Sequence, residues 1–294
     1  MSFGGRPDGA RRRVHRPDAP SASAGFLRDG YVVLEHFLAV DETSATRRDI
    51  ERLLVSPQAP SCERPHNTLV ALRWNDVVVD RVLASETRRD RLCEVLGAED
   101  MRWISGYVSI KAPRSPALWW HQDWWCWDHP VSYRRGAAQV ALLCYCTRTD
   151  ARNAALRVLP GSHHRSIALH AVLPEAHARA SGGLAASHPA MRDHPAQVTL
   201  PLEAGDAVVL DYRLLHGTHP NVSDVRRDCV LLSLTPSWHA LPADIRGHLI
   251  RHPALPAVGE DALAAVTSGL LPRYDGPRRD LPLNRVAPQR FVCC

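Results

Sequence analysis

The chain has 294 residues, an apolar share of 45% and a formal net charge of +5 at pH 7. This length allows one large domain or two small ones with a substantial core, and no apolar run is long enough to span a membrane. The mild positive charge comes from arginines spread along the chain, because Lys111 is the only lysine. It therefore indicates neither a nucleic-acid partner nor a membrane partner.

Residues 1–23 are polar and rich in Arg, Pro, Gly and Ser. They hold no apolar segment after their charges, so they are not a secretory signal, and we expect a disordered arm. The eight cysteines show no zinc-like pairing, which predicts reduced thiols and a cytoplasmic protein. Alternation along a strand would place Cys144 and Cys146 on one face, where they would pack in the core.

The first hundred residues contain a few separate elements. In chain order, they predict a short strand over 30–34, a helix over about 42–55, a long loop over 56–75 and a second helix over 88–96. Asp41 can cap the first of these helices, and Gly97 can end the second.

From Arg102 onward the apolar residues repeat with a period of two, and turn residues bound each short run. This pattern predicts an antiparallel sandwich or barrel behind an N-terminal helical layer. The candidate strands cover residues 103–111, 117–124, 137–146, 154–159, 197–202, 206–212 and 227–235.

Two further segments lie between and after these strands. Residues 166–196 are rich in Ala and His and are long enough to form a lid or a disordered loop. After Pro236 the chain is rich in proline, with one helix predicted near 260–271. We expect this end to pack on the barrel, so the prediction is a single domain over 24–294.

His121 and Asp123 form a His-x-Asp pair in a run of tryptophans. On a strand, residues i and i+2 project to the same side, so both side chains could reach one ion. The pair alone is weak evidence for a metal site, because a chain with 16 histidines contains such pairs by chance. Without a third ligand, the pair could equally be a histidine hydrogen-bonded to a nearby carboxylate at the sheet surface.

His216 is the third candidate ligand. It ends a strand that begins at Gly205 and Asp206, which would bring its imidazole to the mouth of a barrel. Two imidazoles and one carboxylate can occupy one face of a ferrous ion and leave the opposite positions open to small ligands. His219 is an alternative third ligand.

Polar residues after His216 could bind an acid beside such an ion. Thr218 lies in the same turn, and Arg226 and Arg227 open the next strand. A guanidinium grips a carboxylate with two hydrogen bonds, so one of these arginines could hold a dicarboxylate whose other end chelates the metal. The alternation of strand faces allows only one of the two arginines to point inward.

Several stretches together resemble the phytanoyl-CoA dioxygenase family of Fe(II)- and 2-oxoglutarate-dependent oxygenases, which includes the ectoine hydroxylases. The resemblance covers about 25–236 and leaves 237–294 as a C-terminal extension. One difference is Asn153-Ala154, where the family usually has glycine after asparagine. The stretches are 30–34, Trp120 to Trp124, the Pro-Gly-Ser-His turn at 160–163, and 205–223 followed by Arg227.

The resemblance implies a mostly β fold, a double-stranded β-helix (a cupin-like jelly roll) with N-terminal helices packed on one sheet. It implies Fe(II), 2-oxoglutarate and dioxygen as cofactor and cosubstrates, with hydroxylation of a small organic metabolite and release of succinate and carbon dioxide. Asp123 argues against halogenation, because related halogenases have a small residue there. The implied roles are iron ligands for His121, Asp123 and His216, 2-oxoglutarate binding for Arg227 and Thr218, and a position beside the cosubstrate for Trp127.

Other side chains could line a substrate site. If His121 faces inward, alternation places Trp119, Trp125 and Trp127 on its side and turns Trp120 and Trp124 outward under the helices. These indoles could form an aromatic wall or simply pack in the core. The remaining candidates for the wall are Tyr107, Ser109, Lys111 and Gln139.

Two other functions remain open from the sequence. The enzyme could act on an acyl group carried by coenzyme A or by a carrier protein, which a basic groove near the site would favour. Alternatively, the chain could be a non-catalytic β-barrel that binds a metal or a small acid.

Overall fold

The computed structural model describes residues 21–56, 61–64, 67–176, 178–257, 259–260 and 266–294. Within these residues, eleven strands form two antiparallel sheets. The strands are β1 Tyr31–Leu34, β2 Ser61–Arg64, β3 Asn67–Leu72, β4 Arg102–Lys111, β5 Leu118–His121, β6 Val140–Tyr145, β7 Leu156–Val158, β8 Val198–Leu200, β9 Ala207–Asp211, β10 His216–Thr218 and β11 Arg227–Thr235. The helices are α1 Ala22–Asp29, α2 Val40–Leu54, α3 Val77–Leu83, α4 Glu86–Leu96 and α5 Ala243–Leu249.

The larger sheet has seven strands in the order β1-β9-β6-β11-β4-β3-β2, and the smaller has four in the order β5-β10-β7-β8. Side chains alternate across the larger sheet. In β6, Leu142 and Cys144 pack with the N-terminal helices, whereas Ala141 and Leu143 pack between the two sheets. This alternation confirms the predicted jelly roll with helices packed on one sheet. None of the described helices is long and apolar enough to cross a bilayer.

Helices α2 and α4 lie where they were predicted, whereas α1, α3 and α5 were missed. The α3 sequence, Val77–Leu83, is rich in β-branched residues, which disfavour helices. It is helical because Val78, Val79, Val82 and Leu83 share one face and are fully buried in the core. Tertiary packing therefore outweighs local propensity in this segment.

The predicted loop 56–75 is wrong in part, because it contains the hairpin β2–β3 at the edge of the larger sheet. The predicted arm 1–23 lies outside the described residues up to residue 20, and its end forms the start of α1, capped by Ser21. Residues 261–265 of the helix predicted near 260–271 also lie outside the described residues, and Val266–Leu270 is a 3-10 helix. The thiols of Cys144 and Cys146 are free and buried in the core, as predicted.

Ala154 occupies the position where the resemblance led us to expect glycine. Its φ is +70°, in the left-handed region that disfavours side chains. Asn153 supports the turn, because its side chain accepts a hydrogen bond of 2.6 Å from the amide of Asp150. The local conformation that glycine would favour is therefore formed here by alanine.

Candidate metal centre

His121 and His216 face each other across two strands of the smaller sheet. His121 ends β5, His216 begins β10, and the two residues are register partners. The prediction that His216 ends the preceding strand is therefore wrong. That strand, β9, stops at Asp211 in the larger sheet, and residues 212–215 carry the chain across to the smaller sheet.

Asp123 lies just beyond the end of β5, so the loop positions it rather than the strand. The amides of Asp123 and Trp124 both donate 2.9 Å hydrogen bonds to the carbonyl of Tyr212, in the crossing between the sheets. The Asp123 carboxylate lies 3.9 Å from Nε2 of His121 and 3.6 Å from Nε2 of His216. All three ligand atoms lie within 4.8 Å of one another, close enough to hold one metal ion.

Both imidazoles are oriented by backbone carbonyl groups. Nδ1 of His121 donates to the carbonyl of Trp119 at 2.9 Å, and Nδ1 of His216 donates to the carbonyl of Leu214 at 3.0 Å. A proton on Nδ1 puts the lone pair of each ring on Nε2, which is the usual arrangement in metal-ligating histidines. Two nitrogens and one carboxylate match the facial set of non-haem ferrous sites.

His219 is not part of this cluster of described residues. Its Nε2 forms a 2.8 Å hydrogen bond with Oγ1 of Thr199 on β8. The structure therefore brings together the three side chains predicted first and leaves the alternative ligand hydrogen-bonded elsewhere.

Gly217 allows the two ligand strands to lie close together. A Cβ at this position would lie 2.8 Å from the carbonyl oxygen of Leu118 and 2.9 Å from that of Trp119. Real Cβ contacts of this length essentially never occur, and the colliding atoms are backbone atoms that cannot turn aside. The spacing between His121 and His216 therefore depends on a glycine here.

We expect Gly217→Ala to lower the affinity for Fe(II) by about 10- to 100-fold, because the added methyl group pushes β10 away from β5. Anaerobic Fe(II) titration measures the effect. Gly25→Ala is the control, since a Cβ at residue 25 meets nothing within 4 Å. Equal Fe(II) affinity in the two variants would show that this close approach does not set the ligand geometry.

A cavity of about 310 Å³ adjoins the three candidate ligands. Arg227 lines it and is 3% exposed. Its Nε has no hydrogen-bond partner among the described residues, and neither does Oγ1 of Thr218, which also lines the cavity. Two buried polar groups without partners are costly, so they indicate a place for a ligand with several acceptor atoms.

Arg226 points away from this cavity. It forms ion pairs with Asp228 at 2.6 Å and with Glu51 at 2.5 Å. Of the two arginines considered from the sequence, Arg227 is therefore the one that faces the cavity. Ser109 contributes a hydroxyl beside it, 3.4 Å from Nη1 of Arg227.

Lys111 lies next to Arg227 across the strand pair but is not among the described cavity-lining residues. Its Nζ donates to the carbonyl of Pro116. Burial, together with the charges of Arg227 and Arg157, lowers the pKa of Lys111 to about 7. Of the candidates for the cavity wall named from the sequence, Tyr107, Ser109 and Gln139 do line the cavity.

A family model for phytanoyl-CoA dioxygenase (PhyH) matches residues 26–229, more than half of the chain. The chain belongs to the phytanoyl-CoA dioxygenase family. It is an iron- and 2-oxoglutarate-dependent dioxygenase by this membership, and the His-Asp-His cluster agrees with that cofactor. The match ends near the start of β11 and leaves the C-terminal extension outside it.

Named relatives are similar to this chain at low identity. An ectoine dioxygenase of Nocardia farcinica is 25% identical over 224 residues, covering 70% of this chain and 74% of that protein. A probable alpha-ketoglutarate-dependent hypophosphite dioxygenase of Stutzerimonas stutzeri is 23% identical over 228 residues, covering 70% and 75%. These matches agree on the family and differ in the substrate that they name.

Solved structures support the fold. The epimerase SnoN, in complex with Fe3+, alpha ketoglutarate and nogalamycin RO, matches with a TM-score of 0.53 and 19% identity over 73% of this chain and 82% of that chain. HygX from Streptomyces hygroscopicus, with nickel, 2-oxoglutarate and hygromycin B bound, has a TM-score of 0.53 and 17% identity, covering 72% and 84%.

The tryptophans that line the cavity are not all those that the alternation of strand faces predicted. Trp119 and Trp125 line the cavity of this family member. Trp120 packs on the outer face of the smaller sheet, where its Nε1 donates to the carbonyl of Arg192 at 2.9 Å, rather than under the helices. Trp124 is buried in a separate aromatic cluster, and its Nε1 donates to Ser132. The alternation fails because β5 ends at residue 121.

Trp127 does not line the cavity, which corrects its predicted position beside the cosubstrate. Its ring lies 4.9 Å from that of Phe291 and 6.3 Å from that of Tyr133, within the aromatic cluster of the C-terminal extension. The indole that reaches the cavity is Trp125. Its Nε1 donates to Oε1 of Gln139 at 2.6 Å, and Gln139 in turn donates to Ser233 at 3.0 Å.

Residues 166–196 were predicted to form a lid or a disordered loop. The described residues of this segment line no part of the cavity. Instead, Leu169 packs with Trp120 behind the smaller sheet, and Nε2 of His170 forms a 3.2 Å hydrogen bond with Gln122. The segment therefore supports the ligand strand from its outer side.

The C-terminal extension forms a wall of the cavity that the sequence did not predict. The ring of His248 stacks on that of Trp125 at 4.4 Å. Burial lowers the pKa of His248, and burial together with His248 lowers the pKa of His252 to about 4. Both imidazoles are therefore neutral near pH 7. The extension residues that line the cavity are His248, Leu249, His252, Leu283 and Arg285.

Proposed function

We propose that this enzyme hydroxylates a small organic molecule, with His121, Asp123 and His216 as Fe(II) ligands and with succinate and carbon dioxide as coproducts. The supporting observation is that the ligand cluster and the two unpartnered groups of Arg227 and Thr218 share one cavity. The donor set suits Fe(II). The unpartnered Nε and Oγ1 suit the far carboxylate of 2-oxoglutarate, which offers acceptors to both.

Iron with 2-oxoglutarate supplies the oxidising power for attack on a C–H bond, and the protein supplies position and shelter. Asp123 offsets part of the charge of the divalent ion, and it occupies the position that a halide would need. Arg227 and Thr218 hold the cosubstrate at its far end. Trp119, Trp125 and Leu156 exclude bulk water from the cavity.

We expect Arg227→Gln to raise the Kd of 2-oxoglutarate by about 10- to 100-fold, because a charged hydrogen bond to the far carboxylate is lost. Calorimetric titration of 2-oxoglutarate into anaerobic, Fe(II)-loaded protein measures it. Arg226→Gln is the matched control, since Arg226 faces Glu51 and Asp228 outside the cavity. A larger loss in Arg226→Gln than in Arg227→Gln would reverse the assignment.

A turnover assay tests the proposed function directly. The Fe(II)-loaded protein should convert 2-oxoglutarate to succinate in air, with slow uncoupled turnover alone and faster turnover when a substrate is added. Folded protein that binds Fe(II) and 2-oxoglutarate but never forms succinate would favour the non-catalytic binding function instead.

A further inference from the structure

Arg285 is a cation in the cavity wall whose side chain has no partner among the described residues. It is half-buried and lines the cavity. Among the described residues, none forms a hydrogen bond or an ion pair with its side chain, although other extension arginines such as Arg251 and Arg279 are paired with Asp280 and Asp244. A guanidinium in a cavity wall that has no carboxylate of the protein beside it is suited to binding an anionic group of a ligand.

The position of Arg285 is fixed by the preceding residue. The amide of Asn284 donates to the carbonyl of Trp125 at 2.8 Å, and the carbonyl of Asn284 accepts from the amide of Trp127 at 3.1 Å. The Asn284 side chain also donates to Asp128 at 2.7 Å. These bonds attach the extension to the loop that follows Asp123, so the backbone of Arg285 is placed beside the candidate metal centre.

Arg285 also lies close to the metal-binding strand and to Tyr212. It lines a small cleft together with His121 and Gln122. Tyr212 lines the cavity as well. Arg285 thus lines the cavity together with Trp125 and Tyr212, and Asn284 next to it is bonded to the Trp125 backbone.

The charges of the loaded site leave Arg285 uncompensated. A divalent iron, the Asp123 carboxylate, doubly charged 2-oxoglutarate and Arg227 together carry no net charge. His248 and His252 are neutral near pH 7 because their pKa values are lowered, first by burial. Among the groups that line the cavity, one positive charge therefore remains, and a ligand with one negative charge would balance it.

We propose that Arg285 binds an anionic group of the substrate, so that the substrates of this enzyme are small organic anions such as monocarboxylates. This inference depends on the proposed function. Trp125, Leu249 and Leu283 would contact the apolar part of such a molecule. Arg285 lies in the C-terminal extension, outside residues 26–229 that the family model matches. In this proposal the extension therefore contributes a residue that determines substrate specificity.

Matched pairs of probes test the proposal before the natural substrate is known. The probes are small aromatic and alicyclic carboxylic acids, each with its primary amide, such as phenylacetate with phenylacetamide. Binding is measured by calorimetry on protein loaded with Mn(II) and 2-oxoglutarate, which does not turn over. We expect at least one acid to bind wild-type protein about 10- to 100-fold more tightly than its amide, and Arg285→Gln to remove this preference.

Two further variants complete the test. Arg285→Lys should retain part of the acid preference, because it keeps the charge and loses the planar fork. Exposed Arg290→Gln, in the same extension, should leave the preference unchanged. The proposal is overturned if no acid binds more tightly than its amide, or if the preference survives in Arg285→Gln. Titration of 2-oxoglutarate into each variant separates these outcomes from failure of the cosubstrate site.

Discussion

The Asp123→Ala variant is expected to form no detectable succinate and to bind Fe(II) more than about 100-fold more weakly than the wild type. Asp123 is the only carboxylate in the described ligand cluster, and its oxygens lie 3.9 Å and 3.6 Å from the two imidazole nitrogens. Its loss removes both a ligand and the negative charge that offsets the ion. Anaerobic Fe(II) titration and an aerobic succinate assay measure the two effects.

Glu203→Ala is the control for this substitution. Glu203 is an exposed carboxylate whose side chain is 67% accessible and whose partner is Arg148. It should therefore change neither measurement. His219→Ala should retain Fe(II) binding, because His219 bonds to Thr199 instead of joining the cluster. Normal turnover in Asp123→Ala would refute the ligand assignment.

The Asp211→Asn variant is expected to lower the free energy of unfolding by about 3–5 kcal/mol, because it leaves a buried guanidinium without its counterion. Asp211 and Arg213 are each 2% exposed and form a 2.7 Å ion pair. Arg213 also donates to the carbonyls of Ser132 and Arg134. Urea denaturation monitored by circular dichroism measures the loss.

The matched control is Asp224→Asn, the same substitution in an exposed pair. The side chains of Arg114 and Asp224 are 65% and 81% accessible, so that variant should lose less than about 1 kcal/mol. The double variant Asp211→Asn/Arg213→Met should recover stability relative to Asp211→Asn, because the unpaired charge is gone. Equal losses in the two single variants would show that the buried pair contributes no more than a surface pair.

The same pair makes stability depend on pH. Burial raises the pKa of Asp211, but the charge and hydrogen bonds of Arg213, together with His163, lower it, and the net effect is a folded-state pKa below its ordinary value. A carboxyl whose pKa is depressed by folding contributes stability above its unfolded pKa of about 4 and loses it as the pH falls further. We therefore expect wild-type protein to lose more stability than Asp211→Asn between about pH 5 and pH 2.

This ion pair also supports the candidate metal centre. Asp211 and Arg213 flank Tyr212 in the sequence, and the carbonyl of Tyr212 accepts hydrogen bonds from the amides of Asp123 and Trp124. The carbonyl of Arg213 accepts a hydrogen bond from Gln122, which lies between two of the candidate ligands. A substitution in the Asp211–Arg213 pair should therefore weaken Fe(II) binding as well as lower the stability of the fold.

The sequence predicted the strands of the barrel because their apolar residues alternate with a period of two. It also predicted the three clustered side chains, because the His-x-Asp pair and the distal histidine fall in a recognisable order. It did not predict the edge hairpin β2–β3, whose first strand, Ser61–Arg64, is short and polar. Helix α3 was missed for a different reason, since its valines favour strands and only burial makes them helical.

The cavity wall formed by the extension could not be predicted from the sequence. His248 and Arg285 lie in segments without a repeating pattern, and their roles depend on contacts with Trp125 and its neighbours far away in the chain. Trp127 was misplaced because its position was taken from the family resemblance, and the rule of alternating faces, which also turned it inward, does not hold beyond the end of β5. Beyond β5, the loop that follows His121 determines which tryptophans face the cavity.

The link between Asn284 and the loop at 125–128 has a consequence for biosynthesis. The ribosome delivers all three candidate ligands well before it delivers Asn284 and Arg285. A nascent chain that has not yet extended beyond residue 236 thus contains the three candidate ligands but lacks the part of the cavity wall that the extension forms. Premature termination or cleavage in the extension would leave the three candidate ligands without Arg285, so such fragments should not bind the anionic substrates proposed above.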